Sequence, residues 1–212
     1  MSRAPVQEYE ALYAMDGFDL TNKTENTGPD AGSTVETAPR KIVEREQGKL
    51  FFYPLDGELP VIPGFETVVE IYRKKREGHA MPSRKAITFR DLRGWHSSFF
   101  LIEFGKDLAE GHMRILGETY KTLYGGELWQ GMSVSEVKSP SLQDIDVYFR
   151  ELLTGPFIGR YKGYLPHVGR EHVFADIIDM PVVDEEGAPR YLMSFIREIQ
   201  RKKPTHRVVA KK

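Results

Sequence analysis

Arg114, in the run His112-Met-Arg-Ile-Leu-Gly117, is the side chain with the sharpest chemical consequence in this sequence. If it points inward from a central strand beside Gly117, its guanidinium must be paired or must meet an anionic ligand, because burying it alone is costly. Glu103 upstream and Glu118 just downstream offer a structural ion pair; an anionic ligand is the other solution. The remaining chemistry-bearing residues do not assemble into machinery. There is no Gly-Lys-Ser/Thr phosphate loop and no Gly-x-Ser-x-Gly elbow. His167 and His172 flank a connection at a spacing of five, which is not helical metal spacing. Asp176 and Asp179 lie three apart in an expected strand, so they face opposite ways and cannot form a carboxylate pair. The chain has no cysteine, which removes disulfides, thiolate metal sites and cysteine nucleophiles. The expectation is a protein that is not an enzyme.

Two basic clusters invite a different chemistry. Arg73-Lys-Lys-Arg76 and the tail Arg201–Lys212, with six bases and no acid, are what a nucleic-acid-associated protein would use. Against this, the formal net charge is −1, and no aromatic residues are interleaved with the bases as in single-strand binders. The first cluster also has a structural explanation, since bases in the last turn of a helix oppose its negative dipole end. The tail reads as a solubilising terminus. Nucleic acid is therefore the alternative reading.

These residues must be positioned by the elements around them. With 212 residues, 40% of them hydrophobic, the chain can bury one good core. No apolar run approaches a membrane span, and Met1–Glu10 lacks a secretory layout, so a cytoplasmic protein is expected. Residues 1–48 read as largely disordered, with Glu8–Met15 as a short docking helix in the alternative. Residues 49–97 read as an extended lead-in and N-terminal helices. Prolines interrupt Leu50–Leu55 and Leu59–Pro63, which marks edge-like pieces rather than central strands. A helix is expected over Glu66–Glu77, with Thr67 and Glu70 in the form of a capping box and Gly78 closing it. Ser98–Phe104 and His112–Leu116 read as strands. Glu118–Tyr124 is a helical turn stopped by Gly125-Gly126, and Ser133–Val137 is another turn. Ser141–Leu153 is a helix with Ser141 and Asp144 at its start and Gly155-Pro156 at its end. Three strands follow, Phe157–Leu165, His172–Val183 and Tyr191–Ile199, the last two joined by the Asp184–Gly187 turn. Their short connections make them antiparallel neighbours. The fold class is α+β: a five-stranded antiparallel sheet with helices packed on one face.

The strand that carries Arg114, the Tyr120 helix and the Gly125-Gly126 and Trp129-Gln-Gly131 stops resemble the second strand and first helix of PAS domains. With Ile71–Arg76 and Met81-Pro-Ser-Arg84 upstream, residues 65–199 resemble the short stand-alone bacterial PAS-like proteins, and residues 98–199 have the size of one PAS domain. That resemblance implies a fold in which the first two strands lie centrally between the later three. It also implies a sensory or regulatory module that acts in signalling by protein–protein contact, with a partner such as a sensor kinase or response regulator. A homodimer formed through the Glu66–Glu77 helix would use Phe65, Val69 and Tyr72. A small ligand would sit between helix and sheet, against Phe149 and Leu152 from the helix and Phe157, Tyr161, Phe174 and Ile178 from the sheet, with Arg114 and Tyr120 supplying polarity. Composition alone does not separate such a cavity from a filled core. The cofactor is unknown: a covalent flavin adduct is excluded by the absence of cysteine, and haem is disfavoured because Ser141–Leu153 holds no histidine.

Overall fold

The computed structural model describes residues 37–137, 145–165, 167 and 169–199. Among these, seven strands form one antiparallel sheet: β1 (Lys41–Arg45), β2 (Gly48–Pro54), β3 (Phe99–Phe104), β4 (Gly111–Leu116), β5 (Phe157–Tyr164), β6 (Phe174–Val183) and β7 (Pro189–Glu198). Three α-helices accompany them: α1 (Glu66–Lys75), α2 (Glu118–Leu123) and α3 (Ile145–Thr154). The strands lie in the order β1-β2-β5-β6-β7-β3-β4. The five strands expected between residues 98 and 199 are all present, and the last three pair in succession as their short connections require. The fold is PAS-like in this part.

Three expectations are corrected. First, the sheet has seven strands, because β1 and β2 extend it beyond β5. Residues 41–45 fall in the segment expected to be disordered, yet they pair with Gly48–Phe52. Nor is β2 an edge piece. Pro54 is its last residue, so Leu50–Phe52 are free to pair with β1 on one side and β5 on the other. Second, the first two strands of the PAS-like part do not lie between the later three. β3 pairs with β7, and β4 takes the edge. Third, helices cover both faces of the sheet rather than one.

Strand periodicity explains the two-sided burial. Successive side chains alternate between faces. Phe100, Ile102, Phe104, Met113, Ile177, Leu192 and Ile196 join one core with α2 and α3. Phe99, Leu101, Ile158, Ile178, Met180, Met193 and Phe195 join a second core with α1 and the lead-in. β6 is buried along nearly its whole length. Its Ile177-Ile178 and Val182-Val183 pairs suit a strand covered on both sides. α1 contributes Val68, Val69 and Tyr72, and the Tyr72 hydroxyl donates to Pro181 O at 2.5 Å. Burying each side chain of this size is worth roughly 1.5–3 kcal/mol.

α1 starts without the expected capping box. Thr67 lies inside the helix; Phe65 occupies the cap position, and Glu66 Oε2 accepts from Gly64 N at 2.9 Å. The helix stops where Glu77 and Gly78 turn left-handed, at φ 47° and 85°. α3 matches its expected position, but Ser141 and Asp144 lie outside the described residues, as do residues 1–36, with the Glu8–Met15 segment, and the basic tail from residue 200.

Candidate ligand cavity

Between α2, α3 and the inner face of the sheet lies a cavity of about 430 Å³. Phe100 and Ile102 of β3, Met113 of β4 and Ile177 of β6 supply apolar wall. Tyr120, Tyr124, Tyr148, Phe149 and Tyr161 supply rings. At the β1–β2 turn, exposed Arg45 and Glu46 and half-buried Gln47 line it, so it opens there.

One polar network faces this space. Asp179 of β6 and Ser194 of β7 are cross-strand partners, both nearly fully buried. Ser194 Oγ donates to Asp179 Oδ1 at 2.5 Å, and Tyr148 of α3 donates its hydroxyl to Asp179 Oδ2 at 2.8 Å. Tyr120 of α2 lies 2.6 Å from Ser194 Oγ. Serine has one hydroxyl hydrogen, and it is directed at Asp179, so Tyr120 is the donor in that pair. The network ties both helices to adjacent strands. Burial is the main cause that pushes the Asp179 carboxyl from 3.8 up to about 6, and the two hydroxyl donors oppose it. Burial, then the Asp179 charge, also drives the Tyr120, Tyr124 and Tyr148 hydroxyls well above their ordinary range. Gly159, in register with Asp179, leaves the room in which Tyr148 and Leu152 sit; a Cβ there would strike both.

Of the residues expected at a pocket, Tyr120, Phe149 and Tyr161 line the cavity. Leu152 and Phe157 pack in or against the same core but lie outside the lining. Ile178 belongs to the opposite face, because its neighbours Ile177 and Asp179 take the cavity side. Phe174 meets the Tyr164 ring edge-on at 5.1 Å instead. Arg114 is also displaced from the cavity. It is exposed on the edge strand, so the expectation that it points inward fails, and with it both solutions for a buried guanidinium; its Nε donates to Glu103 Oε2 at 2.5 Å as a surface pair. The expected dimer residues Phe65, Val69 and Tyr72 are at most 1% exposed, so the chain's own sheet already takes that helix face. The residues missed by sequence are Asp179, Ser194 and Tyr148. The available signal was an acid inside a long apolar strand, since a buried polar residue is more informative than a buried apolar one.

The basic run on α1 is engaged within the chain. Arg73 and Lys74 meet Glu70, Lys75 lies 3.0 Å from Asp91 Oδ2, and Arg76 donates to the carbonyls of Leu55 and Gly57. Asp176 pairs with Arg160 in a two-point ion pair, apart from Asp179 as strand parity requires. His167 is buried, and its ring tilts against Tyr124 at 5.2 Å. Among the described residues no cluster of three or more His, Asp or Glu could hold a metal ion, and no helix is long and apolar enough to cross a membrane.

No protein-family model matches the chain, and no curated protein matches it. Two solved structures are similar. One is a sensory box sensor histidine kinase from Vibrio cholerae, at 13% identity and a TM-score of 0.33, covering 49% of this chain and 80% of that one. The other is a domain described as belonging to a light and redox sensing histidine kinase of Haloarcula marismortui, at 16% identity and a TM-score of 0.34, covering 52% of this chain and 97% of that one. At this level neither likeness carries an argument about function. The PAS-like fold rests on the count and succession of β3 to β7.

Proposed function

We propose that this chain is a sensory module whose cavity between α2, α3 and the sheet takes up a small ligand, and that it passes the resulting change to a signalling partner by contact. The observation that carries the proposal is the cavity wall: mostly apolar, open at one turn, with a single buried polar network at its floor. Ligand sites have this composition, a hydrophobic lining with a few placed polar groups. The network links α2 through Tyr120 and α3 through Tyr148 to β6 and β7, so a ligand that reorders it biases both helices at once. The nucleic-acid reading loses support, because the α1 bases are held by the chain's own acids and carbonyls.

Native mass spectrometry of the freshly purified chain, with its absorption spectrum, tests the proposal. A non-covalent adduct is expected, absent from an Ile177→Trp variant that fills the cavity. An unmodified mass in both proteins contradicts ligand uptake. The same spectra report any homodimer, for which the α1 face is not the contact.

A further inference from the structure

We infer that the ligand is a protonated primary or secondary amine on a compact apolar body, with its ammonium group at Asp179. This rests on the ligand-cavity reading above and adds the chemical class.

The inference comes from what the cavity wall has already used and what it has left. The hydroxyl hydrogens of Tyr120, Tyr148, Tyr161 and Ser194 are directed at protein oxygens: Ser194, Asp179, the Tyr164 carbonyl and Asp179 respectively. Acceptors remain. Each Asp179 oxygen takes one hydroxyl and keeps a lone pair. Gln47 Oε1, on the cavity lining near its opening, is buried with no hydrogen-bond partner. The Tyr124 hydroxyl can act either way and the Gln47 amide can also donate, but at Asp179 a ligand meets acceptors alone and must donate.

Charge narrows the class further. The described partners of Asp179 are neutral hydroxyls, so it is a buried carboxylate without a cation beside it. Arg160, on the neighbouring strand β5, is committed to Asp176 on the other side of the sheet. Removing a carboxylate from water without a counter-charge is costly, and an incoming ammonium relieves that cost. Tyr120, Tyr148 and Phe149 line the same space, and an ammonium over an aromatic ring is attracted by its quadrupole. Among the described residues, the other ionisable groups of the wall are Tyr124 and Tyr161, neutral at physiological pH, and Arg45 and Glu46 at the opening, of opposite charge. The described wall around Asp179 is left with one net negative charge.

Isothermal titration of the full chain with 2-phenylethylamine and with 2-phenylethanol tests this, because the two probes share size and an aromatic body and differ in charge. The amine is expected to bind at least tenfold more tightly. In D179N its advantage is expected to disappear while affinity for the alcohol holds. Equal binding of both probes, or tighter binding of the alcohol, overturns the amine assignment and leaves the cavity as a ligand site. Binding of neither overturns both. If D179N does not fold, the comparison on the unaltered chain decides alone.

Discussion

Replacing Asp179 by asparagine should change how stability depends on pH, and the sign is fixed by burial. Asp179 is 3% exposed, and its carboxyl is raised from 3.8 to about 6. A raised value means the folded chain binds this proton more tightly than the unfolded chain does. Above about 6 both states are ionised and the folded state carries the full penalty of the buried charge; below about 4 both are protonated and the penalty is gone. Stability from this group is therefore present at low pH and lost as pH rises through about 6. At roughly 1.4 kcal/mol for each tenfold in proton affinity, the swing is about 3 kcal/mol. The D179N side chain has no such titration, so the difference in unfolding free energy between the two proteins isolates the group from every other carboxyl. Urea unfolding of the ligand-stripped chain, followed by tryptophan fluorescence to which Trp95, packed against Phe65 and Phe195, contributes, measures it at a series of pH values. The native protein should gain about 3 kcal/mol on the variant between about pH 7 and pH 4. A difference that stays flat, or that moves the other way, refutes the reasoning that Asp179 is a desolvated carboxylate without a cation.

Three further substitutions probe the scaffold. Val69→Asp, at a position 1% exposed, buries a charge in the α1 core and should abolish cooperative unfolding at any protein concentration; a chain that stays folded and only changes from dimer to monomer contradicts the assigned packing. Gly159→Ala drives a methyl against Tyr148 and Leu152 and should cost about 1–3 kcal/mol in urea unfolding. It should also raise the titration point of Asp179 further, by displacing the Tyr148 hydroxyl that donates to its carboxylate, which carboxyl NMR reads. Tyr72→Phe removes the hydroxyl that donates to Pro181 O and should cost about 1 kcal/mol, checked by denaturant titration; no loss means α1 is not docked there.

Much of the scaffold is legible in the sequence because its signals are local. Gly125 and Gly126, at φ 69° and 79°, end α2 where the sequence places the stop. The Asp184–Gly187 turn closes the β6–β7 hairpin, with Asp184 Oδ1 accepting from the backbones of Glu186 and Ala188. What is not legible depends on pairing between distant segments. The addition of β1 and β2 to the sheet is decided by the free edge of β5, more than a hundred residues downstream. The face each strand residue takes follows from parity once the register is known, and without that register Phe174 and Ile178 fall on the wrong side of β6 for the pocket. Arg114 suits a central strand by its neighbours in sequence, but β4 is an edge, where a guanidinium stays in water beside Glu103. Asp179 and Ser194 become a site only through the β6–β7 register, which no single segment encodes.

The central claim is that the cavity is occupied by a ligand, and methionine methyl NMR tests it most directly. Met113 lines the cavity, whereas Met180 and Met193 lie in the core on the other face. Spectra are compared between the chain as purified and the same chain unfolded, dialysed and refolded to strip it. The account predicts that the Met113 methyl moves while those of Met180 and Met193 stay in place. Coincident Met113 signals in the two samples would contradict it.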